Sequence, residues 1–201
     1  MPQTHRSCRL VVAILGATLI ATALAALAGC TGANTSEGSR TLTLPRSVDG
    51  YVLQTGHGLT AVLSGIRRST QRSLPPRSVL AIALPKAKFA MYLSRAQGRW
   101  FTFIGTTAAS NPRIAVALSS PTRAMADLMS TWSMSAISAA PAGRLGGLVR
   151  CGVYLSSSSG RVAVCAWVDH STMGAVVLPD VHMTGRQLEP LALAFRSAAE
   201  H

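Results

Sequence analysis

Acidic side chains are scarce in this sequence, which has seven Asp and Glu residues against nineteen Arg and Lys. Only two of the basic residues are lysines, and the formal net charge is +12. Few residues are therefore available to form a catalytic pair of carboxylates. The spacing of Asp49, Asp169 and Asp180 supports no such pair. The composition gives little support to an enzyme that depends on two acids.

Motifs for other kinds of catalysis are also lacking. The chain has no H-E-x-x-H and no G-x-S-x-G, and Gly56-His57-Gly58 is too short for a phosphate-binding loop. Asp169-His170-Ser171 contains the residue types of a catalytic triad, but consecutive residues do not face one another, so it predicts a polar turn. We therefore expect a non-catalytic domain with no metal and no cofactor.

The N-terminus has the layout of an export signal. Met1 to Arg9 is short and basic, and Leu10 to Leu27 is an uncharged apolar run rich in Ala and Leu. A basic segment, an apolar segment and small residues before a cleavage point mark a secretory signal. The run ends in Leu27-Ala28-Gly29-Cys30, which resembles the lipobox of bacterial lipoproteins. That resemblance implies cleavage before Cys30 and a diacylglycerol on its sulfur.

Two other interpretations of the N-terminus stay open. One is an uncleaved transmembrane anchor, because about 18 apolar residues are marginally enough to span a bilayer; the other is an ordinary cleaved signal. A polar stretch rather than a charged flank follows Cys30, and this favours the lipoprotein. We expect a signal peptide at residues 1–29, a flexible tether at 30–41 and one domain at 42–201. The protein would then lie on the extracytoplasmic face of the cell membrane.

The cysteine content fits an exported protein, in which disulfides persist. One of the four cysteines leaves with the signal peptide and Cys30 takes the lipid, so Cys151 and Cys165 remain. They lie in two strand-like runs, Leu148 to Leu155 and Arg161 to Val168, at equal distances from the middle of a Ser-rich loop. An odd-length hairpin loop would place them directly opposite each other, within reach of a disulfide. A metal site is disfavoured because no other ligand sits at a suitable spacing.

Hydrophobic periodicity predicts three helices. One spans Leu59 to Ile66, and a second follows Ser120-Pro121, where Ser would cap the helix and Pro suits its first position. A third lies at the C-terminus, where Thr184 and Gln187 fit a capping box. Pro190 places its start at Leu188 or Glu189.

The remaining apolar runs have β character, and the segment Ser133 to Gly147 between them is predicted to be a connecting loop. Together the elements predict an α+β fold, with a mostly antiparallel sheet and helices packed against it. The strand at 161–168 is apolar on both faces, so we expect it inside the sheet. The predicted strands are Gly50–Leu53, Val79–Leu84 (which a helix also fits), Phe89–Leu93, Trp100–Ile104, Ile114–Leu118, Leu148–Leu155, Arg161–Val168 and Met173–Leu178.

Positive charge is concentrated in the N-terminal half of the expected mature chain. Residues 30–99 carry ten Arg and Lys against two acids, whereas residues 100–201 carry seven against five. Such a segment fits anionic lipid headgroups or an acidic wall polymer, although a merely solvated basic face fits equally well. Nucleic acid is not expected as a partner of an exported protein. The candidate contacts for an anionic surface are Arg67, Arg68, Arg72, Arg77, Lys86 and Lys88.

The last third of the chain carries a second resemblance. Two cysteines precede Trp167-Val168-Asp169 and Thr172-Met173-Gly174, and this pattern is similar to one that recurs in envelope proteins of high-GC Gram-positive bacteria. The resemblance implies an envelope location and supplies no activity. We therefore expect a lipid-anchored lipoprotein whose domain binds an envelope component or a partner protein. The alternatives are a carrier of a lipid or other apolar ligand and a wall-directed hydrolase.

Replacing the predicted lipid-bearing cysteine tests the anchor. Cys30→Ser is expected to abolish lipidation, because the diacylglycerol would be attached through the cysteine sulfur. Mass spectrometry of the wild-type N-terminus should find a chain that begins at Cys30 with the added mass of a diacylglycerol. An intact, unlipidated N-terminus would contradict the interpretation.

Overall fold

A single antiparallel sheet organises the part of the chain that the structure describes. The computed structural model describes residues 39–156, 160–180 and 182–201, so the predicted signal peptide, Cys30 and most of the predicted tether lie outside it. The strands are β1 (Ser47–Val48), β2 (Tyr51–Leu53), β3 (Lys88–Ser94), β4 (Arg99–Thr107), β5 (Ser135–Ala140), β6 (Leu148–Ser156), β7 (Gly160–Val168) and β8 (Thr172–Pro179). The helices are α1 (His57–Ser73), α2 (Val79–Ala83), α3 (Pro112–Leu118), α4 (Pro121–Thr131) and α5 (Gly185–Ala199).

The sheet joins two antiparallel halves in the order β1-β2-β3-β4-β8-β7-β6-β5. The central joint is the antiparallel pair β4–β8, in which Thr107 lies opposite Thr172. Helices pack on both faces of the sheet, which confirms the predicted α+β class. Strand β7 lies between β6 and β8 and is buried on both faces, as its apolar sequence predicted.

Each face of the sheet has its own core. On one face α5 packs against the buried aromatic side chains of β3, β4 and β7, and Phe195 lies 4.5 Å from Phe103 between ring centroids. On the other face α2, α3 and α4 cover the aliphatic side chains of β7 and β8. The alternation of side chains along a strand explains the division: Val162, Val164 and Ala166 point to the second core.

The predicted disulfide hairpin is present. Cys151 on β6 and Cys165 on β7 are directly paired, with Cα atoms 4.0 Å apart and a bond between their sulfurs. The predicted capping box of α5 is also present, because Thr184 and Gln187 hydrogen-bond each other's backbone N–H. The structure thus confirms both local predictions that rested on specific side-chain chemistry.

Two runs that were assigned to strands are helices. Val79 to Leu84, for which a helix was the alternative, contains α2, and the Ser78 hydroxyl caps it by accepting from Ala81 N. The strand predicted at Ile114 to Leu118 was wrong, since this run is α3. It starts at Asn111-Pro112, an N-cap followed by proline at the first helical position.

Three other boundaries differ from expectation. The predicted loop Ser133 to Gly147 contains β5, an edge strand of Ser and Ala residues that pairs with β6 through a register shift. Helix α5 begins at Gly185, before Pro190, because its capping box forms the first turn. Ser120 precedes α4 as expected, but its side chain makes no capping hydrogen bond.

The N-terminal end of the described chain is bound to the C-terminus. Thr41 and His201 exchange both backbone hydrogen bonds, at 2.9 Å and 3.2 Å, and Leu42 bridges Glu200. Arg40 and Thr41, the last two residues of the predicted tether, are therefore held by the domain. No helix among the described residues is long and apolar enough to cross a membrane.

Removing the disulfide should lower the free energy of unfolding. The double variant Cys151→Ala, Cys165→Ala is expected to lose roughly 3 kcal/mol, because the bond closes a loop of about 15 residues that the unfolded chain would otherwise leave open. Urea unfolding of the two proteins measures the difference. An unchanged unfolding midpoint would show that the bond does not stabilise the domain.

Candidate functional site

Helix α1 brings several of the predicted basic residues together. The Arg67 guanidinium donates to the Ala87 carbonyl at 2.7 Å and lies 4.8 Å from the centroid of the Phe89 ring. Ala87 sits between Lys86 and Lys88, whose side chains are both exposed. The C-terminal half of α1 is thus fastened beside the two lysines of the chain.

The other three predicted contacts are exposed but divide into two places. Arg68 and Arg72 lie one turn apart on α1 and border one surface depression. Arg77 lines a different depression of about 180 Å³, together with Arg123 and Asp127. The six predicted residues therefore form a basic face made of α1, the segment after it and the start of β3, and Arg77 stands at its border. We call this the basic face.

Almost none of the positive charge in this region is neutralised. Residues 50–126 contain ten Arg and Lys and no acidic residue at all. Among the residues that the structure describes, only Arg99 of these ten forms an ion pair, with Asp180 at 3.3 Å. The region therefore presents a predominantly positive surface, which attracts anions and is screened by salt.

The scarce acids are used elsewhere, in a cluster buried between the C-terminus and the turn after β7. Arg196 donates from one guanidinium nitrogen to Asp169 at 2.7 Å and from Nε to Glu200 at 3.3 Å. Its side chain is 1% exposed, and both carboxylates are fully buried. Arg40 adds a second cation, 2.9 Å from Asp169 and 3.6 Å from Glu200. We call these four residues the buried charge cluster.

Neutral donors complete the cluster. Thr172 Oγ1 lies 2.9 Å from Asp169 Oδ2 and 2.8 Å from Glu200 Oε1, so the hydroxyl stands between the two acids. The Trp167 indole N–H donates to Glu200. Burial raises the pKa of Glu200, and the nearby Arg196 charge and the hydrogen bonds offset part of that rise.

The cluster holds its acids in structural contacts. Asp169 Oδ1 accepts from the backbone N–H groups of Ser171 and Thr172, each at 2.7 Å, which forms the predicted polar turn. His170 is exposed and makes no hydrogen bond within the described part of the chain. The tripeptide is therefore not assembled as a triad, and both carboxylates are engaged by partners within the domain.

The second sequence pattern is explained by this cluster and its surroundings. Asp169 belongs to the cluster, and Thr172 and Trp167 donate hydrogen bonds to it. Gly174 lies against the Trp167 ring so closely that a Cβ at this position would overlap it. The paired cysteines stand on the same buried face as Trp167. The pattern therefore describes how β6, β7, β8 and α5 pack.

Sequence reasoning missed three members of the cluster. Arg40 was assigned to the tether, and Arg196 and Glu200 flank the predicted apolar side of α5 without a motif. Their separation of four residues on a helix is one weak signal, since such residues share a helix face. Nothing in the sequence pairs them with Asp169, which lies 27 residues before Arg196.

The structure offers little room for an apolar ligand. A void lined by residues such as Leu80, Leu128 and Trp132 holds about 10 Å³, far below the several hundred that a ligand site needs. A larger depression of about 440 Å³ lies between Gly143–Leu145 and the end of α5, but it is open and partly polar. The described residues also contain no group of three His, Cys, Asp or Glu side chains that would hold a metal ion.

The chain matches no family model, no curated protein and no solved structure. Two charged features of the structure, the basic face and the buried charge cluster, are therefore the candidates for a functional site. The first is exposed and uncompensated, and the second is enclosed and satisfied by its own partners. The basic face is the candidate functional site.

Breaking the buried charge cluster should destabilise the fold in a pH-dependent way. Arg196→Met leaves Asp169 and Glu200 without their main cation, and we expect a loss of roughly 3–5 kcal/mol in the free energy of unfolding at neutral pH. Loss of Arg196 raises the pKa of Glu200 further, so the folded variant binds a proton more readily than the wild type. The deficit should therefore shrink as the pH falls through that raised pKa.

Urea unfolding between pH 4 and pH 7 measures this deficit. Arg186→Met is the matched control, because Arg186 is an exposed residue of the same helix. We expect it to change stability by less than about 0.5 kcal/mol at any pH. An Arg196→Met deficit that is small, or that grows toward acid pH, would contradict the proposed electrostatics.

Proposed function

We propose that this protein is a lipid-anchored envelope lipoprotein whose domain is a non-catalytic binding module for an anionic, phosphate-bearing envelope component. The observation that carries the proposal is the basic face, whose six basic residues lie in a segment, residues 50–126, that contains no acid. A solvated face would ordinarily carry both signs of charge. A predominantly positive face with exposed arginines favours recognition of phosphate groups.

The side chains on this face suit phosphate in two ways. Arg68 and Arg72 lie one turn apart on α1, so their guanidinium groups reach neighbouring positions on an anionic surface. Each planar guanidinium can donate two parallel hydrogen bonds to one phosphate. Lys86 and Lys88 add compact charges beside them. Lipid headgroups and anionic wall polymers both offer such phosphates.

The arrangement of the remaining polar groups supports binding over catalysis. Asp169 and Glu200 would be the natural candidates for acid–base chemistry, but they are buried and hydrogen-bonded within the domain. His170 has no carboxylate or hydroxyl partner among the described residues. The carrier alternative gains no support from the void of about 10 Å³ in the second core.

The proposed anchor and the basic face would act together. A lipid on Cys30 would keep the domain within a short tether's length of the membrane, where the local concentration of anionic headgroups is high. Each basic side chain close to such a surface contributes about 1 kcal/mol at low salt. The anchor would then supply attachment, and the basic face would set which part of the domain meets the surface.

Charge removal on the basic face tests the proposal. The triple variant Arg68→Gln, Arg72→Gln, Arg77→Gln in an unlipidated Cys30→Ser protein is expected to bind anionic ligands roughly ten- to a hundredfold more weakly. Two ligands separate the sources of phosphate: vesicles that contain phosphatidylglycerol, and soluble polyphosphate. Binding of the wild-type domain to either ligand should weaken as salt is added.

A matched variant controls for net charge. Arg46, Arg144 and Arg186 are exposed residues outside the basic face, and their combined change to Gln removes the same three charges. We expect this control to keep most of the binding. Equal losses in the two triple variants would reduce the effect to net charge. Absence of binding by the wild type to both ligands would overturn the proposed function.

A further inference from the structure

Helix α1 is an amphipathic helix whose apolar side is only partly covered. It has 17 residues, none of them buried. Leu59 and Leu63 are half-buried, while Val62 is 52% exposed and Ile66 is 36% exposed. In a surface helix of a globular protein the apolar stripe ordinarily faces the core. The incomplete covering of α1 therefore needs a reason.

The neighbouring end of the sheet also exposes apolar side chains. Val52 on β2, Leu93 on β3 and Trp100 on β4 are direct cross-strand partners, so they form one row on one face of the sheet. Val52 is 52% exposed and Trp100 is 38% exposed. Strands that are half solvated place polar residues outward, and this row does the opposite.

The row and the helix form one continuous surface. Ile66 of α1 and Trp100 of β4 line the same groove of about 290 Å³, which also contains Tyr154 and Val177. Val62 lies one turn before Ile66 on the same side of α1. Four of the seven large apolar side chains that are exposed in the described part of the chain thus belong to this surface, namely Val52, Val62, Ile66 and Trp100. Exposed apolar patches of this kind mark interaction sites.

The charge around this surface identifies the kind of partner. Arg67, Arg68 and Arg72 all lie on α1, the helix that contributes Val62 and Ile66 to the surface. The acids near the surface are Asp180, which pairs with Arg99, and Asp49. A second copy of the chain would bring like charges together. Apolar and tryptophan side chains flanked by arginines fit the boundary between anionic headgroups and acyl chains.

The length of the tether agrees with a bilayer as the partner. Arg40 binds Asp169, which lies close to Thr172. Thr172 pairs with Thr107 at the C-terminal end of β4, whereas Trp100 lies near the N-terminal end of that strand. Seven residues of strand separate Trp100 from Thr107, a distance of about 23 Å. The ten residues from Cys30 to Arg40 span at most about 33–36 Å. The docking surface and a lipid on Cys30 can therefore reach the same membrane.

We propose that α1 and the Val52–Leu93–Trp100 row form a membrane-docking face, which inserts Val62, Ile66, Val52 and Trp100 into the headgroup region of an anionic bilayer. This inference rests on the proposed function, because it identifies the phosphate-bearing component as a lipid surface. It adds a requirement that charge alone does not make: the apolar side chains must enter the bilayer. The arginines of the basic face would contact headgroups around them.

The test removes the apolar side chains and leaves the charges. In the Cys30→Ser protein, Val62→Ser with Ile66→Ser is expected to weaken binding to phosphatidylglycerol vesicles by roughly ten- to a hundredfold. Binding to soluble polyphosphate should not change, because every arginine remains. Val116→Ser with Ile137→Ser is the matched control, since these residues are 75% and 46% exposed outside the docking face. The control should bind both ligands as the wild type does.

Tryptophan fluorescence gives a second measurement, which uses the protein with Val62 and Ile66 unchanged. Bilayer insertion should shift the emission of Trp100 to shorter wavelength, and lipids brominated on their acyl chains should quench it. Trp100→Phe should lose most of this quenching, because Trp167 is buried in the domain and Trp132 is half-buried against the core under α2, α3 and α4. If Val62→Ser with Ile66→Ser fails to fold, this measurement decides alone.

The outcomes separate the two proposals. Wild-type binding to polyphosphate without vesicle binding, vesicle binding that survives loss of Val62 and Ile66, or absence of Trp100 quenching would each overturn the docking face and leave the proposed function standing. Loss of binding to both ligands in the wild type would overturn both.

Discussion

Arg196 holds together two carboxylates that would otherwise repel each other inside the domain. Desolvating four charged groups is costly, and the cost is offset only because each group meets an opposite charge or a donor at close range. Through Asp169 the cluster includes the turn between β7 and β8, and through Glu200 it includes the end of α5. Through Arg40 it also includes the N-terminal segment of the described residues. Three distant parts of the sequence thus depend on one guanidinium.

The buried charge cluster borders the aromatic core beneath α5. Trp167 donates to Glu200 from within β7, and its ring stacks on Phe103 with centroids 6.0 Å apart. Phe195, one residue before Arg196, packs against both rings. Polar and aromatic parts of the interior are therefore neighbours on α5. The sheet face under α5 carries a core of aromatic side chains, whereas the part of the opposite face beneath α1 retains a groove.

The sequence was informative where a structure depends on neighbours along the chain. The hairpin of β6 and β7 followed from Cys151, Cys165 and the loop between them, and the capping box followed from Thr184 and Gln187. Short elements were harder. Ile114 to Leu118 is too short to show helical periodicity, so Asn111-Pro112 was the better signal. Ser135 to Ala140 has no strand character of its own, and pairing with β6 makes it a strand.

The charged features divide in the same way. The candidate basic residues were visible in the sequence because they lie close together along it. That they stay uncompensated depends on where the acids fold, and two of those acids are enclosed with Arg40 and Arg196. Such long-range pairing has no local pattern, so the buried charge cluster was missed although Asp169 had been considered in another role. Exposure of Val52 and Trp100 likewise depends on the position of α1.

The pairing of Thr41 with His201 has a mechanical consequence. Thr41 and His201 are paired through their backbones, and Arg40 is held by Asp169 in the interior. A pull on the chain from its N-terminal side would act first on these contacts, and through them on α5 and the turn after β7. The short strands β1 and β2 would bear no force until the contacts of Arg40 and Thr41 broke. A force applied from the N-terminal side would therefore act on α5 and the turn after β7. Helix α1, which has no buried residue, would bear little of that force.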